Sequence, residues 1–226
     1  MNIESHENEF TFMKRRLKMP KKTFFNLNEE KKNKIIEAAI DEFAANSFHK
    51  DSVTNIIDKS DIASGSFYQY FEDKEDLFRY IIQIIMKRKL DYIDQEILKS
   101  PDKLSFFELL RKLYKGGIAF AQENPGLVSI GDNLTNSNCE VCNQIMEESK
   151  PQSVEFFKTI LENAIQKGDV REDIDPEFTA RFLTRINISL GDFIYTDEGL
   201  DEDIMEIIEV LINIIENGIK AKRGEK

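Results

Sequence analysis

The most constraining stretch of the chain runs Asp51-Ser-Val-Thr-Asn-Ile-Ile-Asp-Lys-Ser-Asp-Ile-Ala-Ser-Gly-Ser-Phe-Tyr-Gln-Tyr-Phe-Glu-Asp-Lys-Glu-Asp-Leu77. Asp51 suits a helix N-cap, and Val53, Ile56 and Ile57 follow it as an apolar stripe at helical spacing. Asp61 falls where the stripe stops, and Asp tolerates the left-handed backbone of a tight turn. Ile62 and Phe67 then carry the packing surface onto a second short helix, and Lys74 starts a third. Two short helices, a tight turn and a continuing core predict a helix-turn-helix, the motif whose second helix lies in the DNA major groove.

The end of this stretch is more specific. Phe67-Tyr-Gln-Tyr-Phe-Glu-Asp-Lys-Glu-Asp-Leu77 resembles the Y-x-Y-F-x-x-K-E-x-L signature that closes the DNA-binding domain of TetR-family bacterial repressors. The resemblance is specific from about Asn28 to Leu77 and architectural beyond. It implies an all-α fold: a three-helix helix-turn-helix domain followed by a larger helical ligand-binding and dimerisation domain. It places the start of the recognition helix around Ala63 to Ser64, with Ser64, Gly65, Ser66 and Gln69 at the base edges. Gln bonds adenine bidentately, Ser hydroxyls donate or accept, and Gly permits close backbone approach. Tyr68, Tyr70 and Lys74 match positions that clamp phosphates, while Ser52 and Thr54 face the other strand's backbone. The competing reading makes Tyr68, Tyr70 and Phe71 plain core aromatics.

Three positions depart from the family pattern. Asp61 replaces the usual turn glycine, Ile57 the small residue at the helix crossing, and Ala63 the Ser or Thr cap, which leaves Ser64 as a substitute cap. With Ser at 64 in place of a frequent Lys or Arg, the recognition helix is weakly basic, and affinity leans on Lys74, Lys50 and the N-terminal arm.

Charge is distributed unevenly. The net charge is −11, yet Lys14 to Lys34 holds nine basic residues against two acidic ones, a local +7, so the remainder sums to −18. A basic arm on an acidic body fits a nucleic-acid partner at one end, or a solvated tail. No apolar run is long enough to span a membrane, the first residues lack the apolar core of a signal peptide, and two cysteines form no disulfide framework. A cytoplasmic protein is expected. The domain boundaries read as a flexible extension over 1–18, the DNA-binding domain over 19–76, and the ligand-binding and dimerisation domain over 77–226.

The first long helix is expected over Glu29 to Asn46, capped by Asn28, with Ile36, Ala39, Ile40 and Phe43 on its apolar face. Another runs from Lys74 to about Leu98, ended by Ser100-Pro101. Later breaks fall at Asn124-Pro125-Gly126, Lys167-Gly168, Asp175-Pro176 and Asp197-Glu198-Gly199, with helix between them.

The last two helices, Phe178 to Tyr195 and Ile204 onward, look apolar on two faces. Ile204, Ile208, Leu211 and Ile215 make one face of the terminal helix; Met205, Ile212 and Ile219 make a second at seven-residue spacing. With Phe182, Ile186 and Phe193 from the preceding helix, the second set predicts a symmetric dimer through a four-helix bundle; the alternative is a larger intrachain core. Phe107, Tyr114, Phe120, Phe156, Phe157 and Phe182 either fill ordinary core or, as the family resemblance implies, line an apolar effector pocket with Asn187 and Arg185 as polar anchors.

Cys139-Glu-Val-Cys142 is a lone C-x-x-C, consistent with a redox or metal switch or with two small helix residues. With two histidines and no phosphate-binding glycine pattern, no catalytic constellation, cofactor or metal is expected. The reading is a repressor that binds double-stranded operator DNA as a homodimer and is released by a small apolar or amphipathic effector. The alternatives are a helical carrier without DNA binding and a repressor that senses through Cys139 and Cys142.

Overall fold

The computed structural model describes residues 20–46, 48, 52–93, 103–137, 139–190, 195–196, 199–200 and 203–221. The expected extension over 1–18, Lys50, Asp51 as a cap, the helix end near Leu98, and Phe193 lie outside them. The helices are α1 (Lys22–Phe25), α2 (Glu29–Asn46), α3 (Ser52–Ser60), α4 (Ser64–Tyr70), α5 (Lys74–Asp91), α6 (Phe106–Glu123), α7 (Pro125–Asn136), α8 (Glu140–Lys167), α9 (Pro176–Ser189) and α10 (Ile204–Ile219). The fold is all-α apart from a minimal antiparallel pair, β1 (Tyr195–Thr196) with β2 (Gly199–Leu200). The helix expected to reach Tyr195 therefore stops at Ser189. Leu190-Gly191 is a stop signal, and the glycine-bearing Asp197-Glu198-Gly199 favours a reversal over continued helix.

Two compact units form: residues 1–87 with 126–143, and residues 88–125 with 144–226. In the first, Asn28 caps α2 as expected, its Oδ1 accepting the Lys31 N–H at 2.8 Å. The buried face of α2 is Ile35, Ala38, Ala39, Glu42 and Phe43, shifted by one residue from the expected set so that Ile35 replaces Ile36. Asp61 takes φ 53°, the left-handed turn that its sequence position predicts. Phe24, Phe43, Ile56, Phe67, Phe71 and Leu77 are fully buried together. Residues 126–143 complete this unit: Leu127, Ile130 and Leu134 are the buried face of α7, and Asn133 Nδ2 donates to the Phe43 and Ala44 carbonyls at 3.3 and 3.4 Å. Those carbonyls lie in the last turn of α2, where helical partners run out.

Glu42 is the one acid buried on α2, 1 % exposed. Its carboxylate accepts from Asn46 Nδ2 and Asn55 Nδ2, both at 2.9 Å, and from Lys59 Nζ at 3.4 Å, which ties α2 to α3. Burial alone pushes this carboxyl up, but the hydrogen bonds from Asn55, Asn46 and Lys59 outweigh it and hold the pKa below the usual carboxylate value of 4.5. A depressed native pKa adds stability that is complete above the unfolded value and disappears as pH falls through the native one. Wild-type protein should therefore lose stability on acidification below about pH 4.5, and Glu42→Gln should flatten that part of the pH–Tm curve. An unchanged curve would rule out Glu42 as the source. At neutral pH Glu42→Ala is expected to cost about 1–3 kcal/mol.

In the second unit two helix starts carry side-chain caps. Ser105 and Glu108 form a reciprocal capping box on α6, and Asp175 caps α9 ahead of Pro176. Gly168 takes φ 75° to end α8. Pro151 lies inside α8 without ending it, although it removes the donor to the Glu147 carbonyl. Phe106, Phe107, Leu110, Tyr114, Phe157, Leu161 and Leu183 pack with Ile204, Ile208, Ile212 and Ile215 of α10 as one core. Arg111 of α6 bridges Glu209 and Glu216 of α10, each at 3.1 Å, along one edge of that contact.

Candidate nucleic-acid interface

Helix α4 has seven residues, too few to hold together alone. Phe67 and Tyr70 anchor it from below. Its N-cap Ala63 contributes no side-chain bond, and Ser64 is the first helical residue and not a substitute cap. Ser64, Gly65, Tyr68 and Gln69 are exposed and Ser66 is half-buried, so the proposed base-reading set shares the open face of α4. A Cβ added at Gly65 would meet nothing within 4 Å. Packing within the protein therefore does not demand glycine there, and the open space is available to a close-approaching partner.

The C-terminal end of α4 is held from an unexpected direction. Lys21 N donates to the Tyr70 carbonyl and Lys21 Nζ to the Tyr68 carbonyl, both at 2.8 Å. Thr23 Oγ1 donates to the Gln69 carbonyl. Three of the helix's orphan carbonyls are thus satisfied by residues nearly fifty positions upstream. Phe24 follows as a plug: fully buried, its ring centroid lies 4.9 Å from Phe71, 5.4 Å from Tyr80 and 6.4 Å from Tyr70. Lys21, Thr23 and Phe24 were not singled out in the sequence. Their one signal is Phe24-Phe25 standing ahead of the first long helix with no local apolar partner.

Two of the proposed phosphate contacts need correction. Tyr70 is 7 % exposed and packs with Phe24, so it belongs to the core. Lys74 is half-buried; its Nζ donates to the Phe48 carbonyl and sits 4.4 Å over the Phe48 ring, so its ammonium braces Phe48. Tyr68 is 57 % exposed. Thr54 is exposed, while the Ser52 side chain lies outside the described residues.

The residues proposed for an effector pocket do not line one cavity. Phe107, Tyr114 and Phe157 are packed within the core of the second unit, Phe120 is buried beside Tyr92, and Phe156, Phe182 and Asn187 are exposed. Aromatics at helical spacing reveal a buried or exposed face but not which of them border empty space. One recess among the described residues of this unit is lined by Leu104, Phe106, Leu109, Ile160, Asn163, Ala164, Lys167 and Asp169.

The proposed dimer set also changes. Ile212 is fully buried in the protomer core; Met205 is 43 % exposed, and Ile186 and Ile219 are partly buried. The open apolar surface is instead Phe178 and Phe182 on α9 with Val210 and Ile214 on α10. At about 100° per residue, Ile212 lies roughly 40° beyond Ile208 on the side of the helix that also holds Ile204 and Ile215, whereas Val210 and Ile214 face away.

Cys139 and Cys142 are buried free thiols. The Cys139 sulfur accepts the Cys142 N–H at 3.4 Å at the start of α8, the position of an N-cap. Burial, then the neighbouring Cys139, pushes the Cys142 thiol up to about 11. Among the described residues no cluster of three His, Cys, Asp or Glu side chains could hold a metal ion, and no helix is long and apolar enough to cross a membrane.

An exposed polar face on a short second helix, after a left-handed turn and over an aromatic core, is the geometry of a DNA reader. Residues 35–81 match the family described as bacterial regulatory proteins, tetR family. Residues 35–81 are thus a TetR-family DNA-binding domain. It is similar to the fatty acid metabolism regulator protein of Bacillus subtilis, 24 % identical over 187 residues that cover 81 % of this chain and 94 % of the relative. Among solved structures it resembles a TetR-family transcriptional regulator from Chloroflexus aurantiacus, with a TM-score of 0.67 and 29 % identity over 90 % of this chain and all of that one. It also shares its fold with the ketosteroid transcriptional regulator KstR2 of Mycobacterium tuberculosis, with a TM-score of 0.59 and 20 % identity over 87 % and 98 % of the two chains. Like these TetR-family relatives, the protein is a DNA-binding transcriptional regulator.

Proposed function

We propose that this TetR-family protein is a cytoplasmic, dimeric repressor that binds a palindromic operator and is released by an amphipathic effector with a long apolar chain. The observation that carries the DNA-binding half is the open face of Ser64, Gly65, Tyr68 and Gln69 on a helix pinned at its C-terminal end. Ser64, Gly65, Ser66 and Gln69 read base edges, while Tyr68 and Thr54 contact phosphates. Residues 19–76 form the DNA-binding domain, and 77–226 carry the effector and dimer functions. The effector class is supported by the similarity to a fatty acid metabolism regulator. Helices α5, α7 and α8 each contain residues of both compact units, so a shift in effector-bound helices reaches the reader through continuous backbone. An effector acts only through its preference for one of the two arrangements.

A gel shift with the promoter region beside its own gene, at two salt concentrations, tests this. Repressor binding weakens steeply with salt; no binding at low salt would favour a carrier. Gln69→Ala should relax discrimination at one base pair by about 1–3 kcal/mol, while Tyr68→Phe should weaken all sequences alike. Undiminished discrimination by Gln69→Ala would remove Gln69 from the base-reading set.

A further inference from the structure

Operator DNA is a polyanion, with one charge for about every 1.7 Å of duplex axis, and a reader must bring cations to it. Helix α4 brings none. Its residues, Ser-Gly-Ser-Phe-Tyr-Gln-Tyr, carry neither acid nor base, and Asp58 and Asp61 are exposed immediately before it. Several lysines of the first unit are already engaged. Lys32 pairs with Glu29, Lys34 with Glu30 and Lys59 with Glu42, while Lys74 donates to the Phe48 carbonyl.

Countercharge lies in the segment that pins α4. Lys14-Arg-Arg-Leu-Lys-Met-Pro-Lys-Lys22 has six cations in nine residues and no acid. Its end is fixed on the reader: Lys21 N and Nζ donate to the Tyr70 and Tyr68 carbonyls at 2.8 Å, and Lys22 is exposed beside them in sequence. Pro20 and Phe24, on either side, are buried. The chain therefore enters the domain along the backbone of the same helix that exposes Tyr68 and Gln69.

Arg15 and Arg16 stand six and five residues upstream of Lys21, a covalent reach of at most about 22 Å. That exceeds the width of a major groove, about 12 Å, so the arginines can pass one sugar–phosphate backbone and reach the adjoining minor groove. Narrow, A·T-rich minor grooves concentrate negative potential and attract arginine.

We propose that Arg15 and Arg16 enter the minor groove flanking each operator half-site, with α1 as the anchor that aims them there. This rests on the reading of the protein as an operator-binding repressor and adds a second contact to it: α4 reads the major groove, and the arm an A·T-rich flank.

Hydroxyl-radical footprinting and affinity titration on the promoter region beside its own gene test this, with full-length wild type and the Arg15→Ala, Arg16→Ala double variant. Both positions precede α1 and its buried Phe24, so the two proteins should melt alike. Wild type should protect minor-groove sugars just outside the half-sites. The variant should leave those sugars open, bind about tenfold or more weakly, and show a salt slope smaller by about 2 per protomer. Replacing the flanking A·T pairs with G·C should weaken wild type and leave the variant unchanged. Identical footprints, affinity and salt slope in the two proteins would overturn the arm and leave the α4 reader standing. Lost affinity without change at the flanking sugars would overturn the minor-groove placement. No binding of this DNA by wild type at low salt would overturn both the arm and the repressor.

Discussion

Phe24→Ala is expected to destabilise the DNA-binding unit by roughly 3–5 kcal/mol and to abolish operator binding, although Phe24 lies far in sequence from the recognition helix. The ring is wholly buried against Phe71, Tyr70 and Tyr80, and it anchors the segment whose Lys21 and Thr23 satisfy the end of α4. Its removal leaves a cavity that neighbouring rings fill incompletely, and it frees three helix carbonyls. Denaturant unfolding of the full chain should show the first unit melting early. Thr23→Ala separates the two contributions: it keeps the core and removes one hydrogen bond, so it should cost about 0.5–1.5 kcal/mol and lower operator affinity with little change in melting. A Phe24→Ala protein that melts and binds like wild type would mean that α1 does not support α4.

Val210→Glu combined with Ile214→Glu should convert the protein to a monomer and lower operator affinity by roughly two orders of magnitude or more, because two linked readers bind far more tightly than one. Both side chains are more than half exposed in the protomer, 54 % and 66 %, so the charges should leave the protomer's own core intact. A second copy would bury them together with Phe178 and Phe182 of α9, and a carboxylate in that setting has no partner. Sedimentation or light scattering reads the assembly, and circular dichroism confirms retained helix. A dimer that persists would place the interface elsewhere. Ile212→Glu serves as the contrasting variant: its site is fully buried, so it should unfold the second unit and not merely separate two copies.

Local features were legible in the sequence because their causes are local. The extent of α2 follows from Asn28, the acidic first turn and the apolar spacing; the left-handed turn follows from Asp61; the end of α8 follows from Gly168. The exposure of Gln69 and Tyr68 beside buried Phe67 and Phe71 is helical periodicity, and the family signature assigned these residues to the proposed reader. Tyr70 was not decidable in this way. It lies at the edge of the helix face, and Phe24, brought in from upstream, covers it.

The same physics separates the remaining successes from the corrections. Sequence alone determined that the chain is all-helical, that a helix-turn-helix lies within Asp51 to Leu77, and that its terminal helix carries more apolar surface than one contact needs. Tertiary structure decided which apolar residues are spent inside. The core of α6, α8 and α9 claims Ile204, Ile208, Ile212 and Ile215, and Arg111 takes the Glu209–Glu216 edge, which leaves Val210 and Ile214 facing out. It likewise decided that Lys74 faces Phe48 and that Lys89 stands over Phe120. A residue's spacing along the helix specifies its direction, but only the neighbouring elements determine whether that direction meets core, solvent or a second molecule.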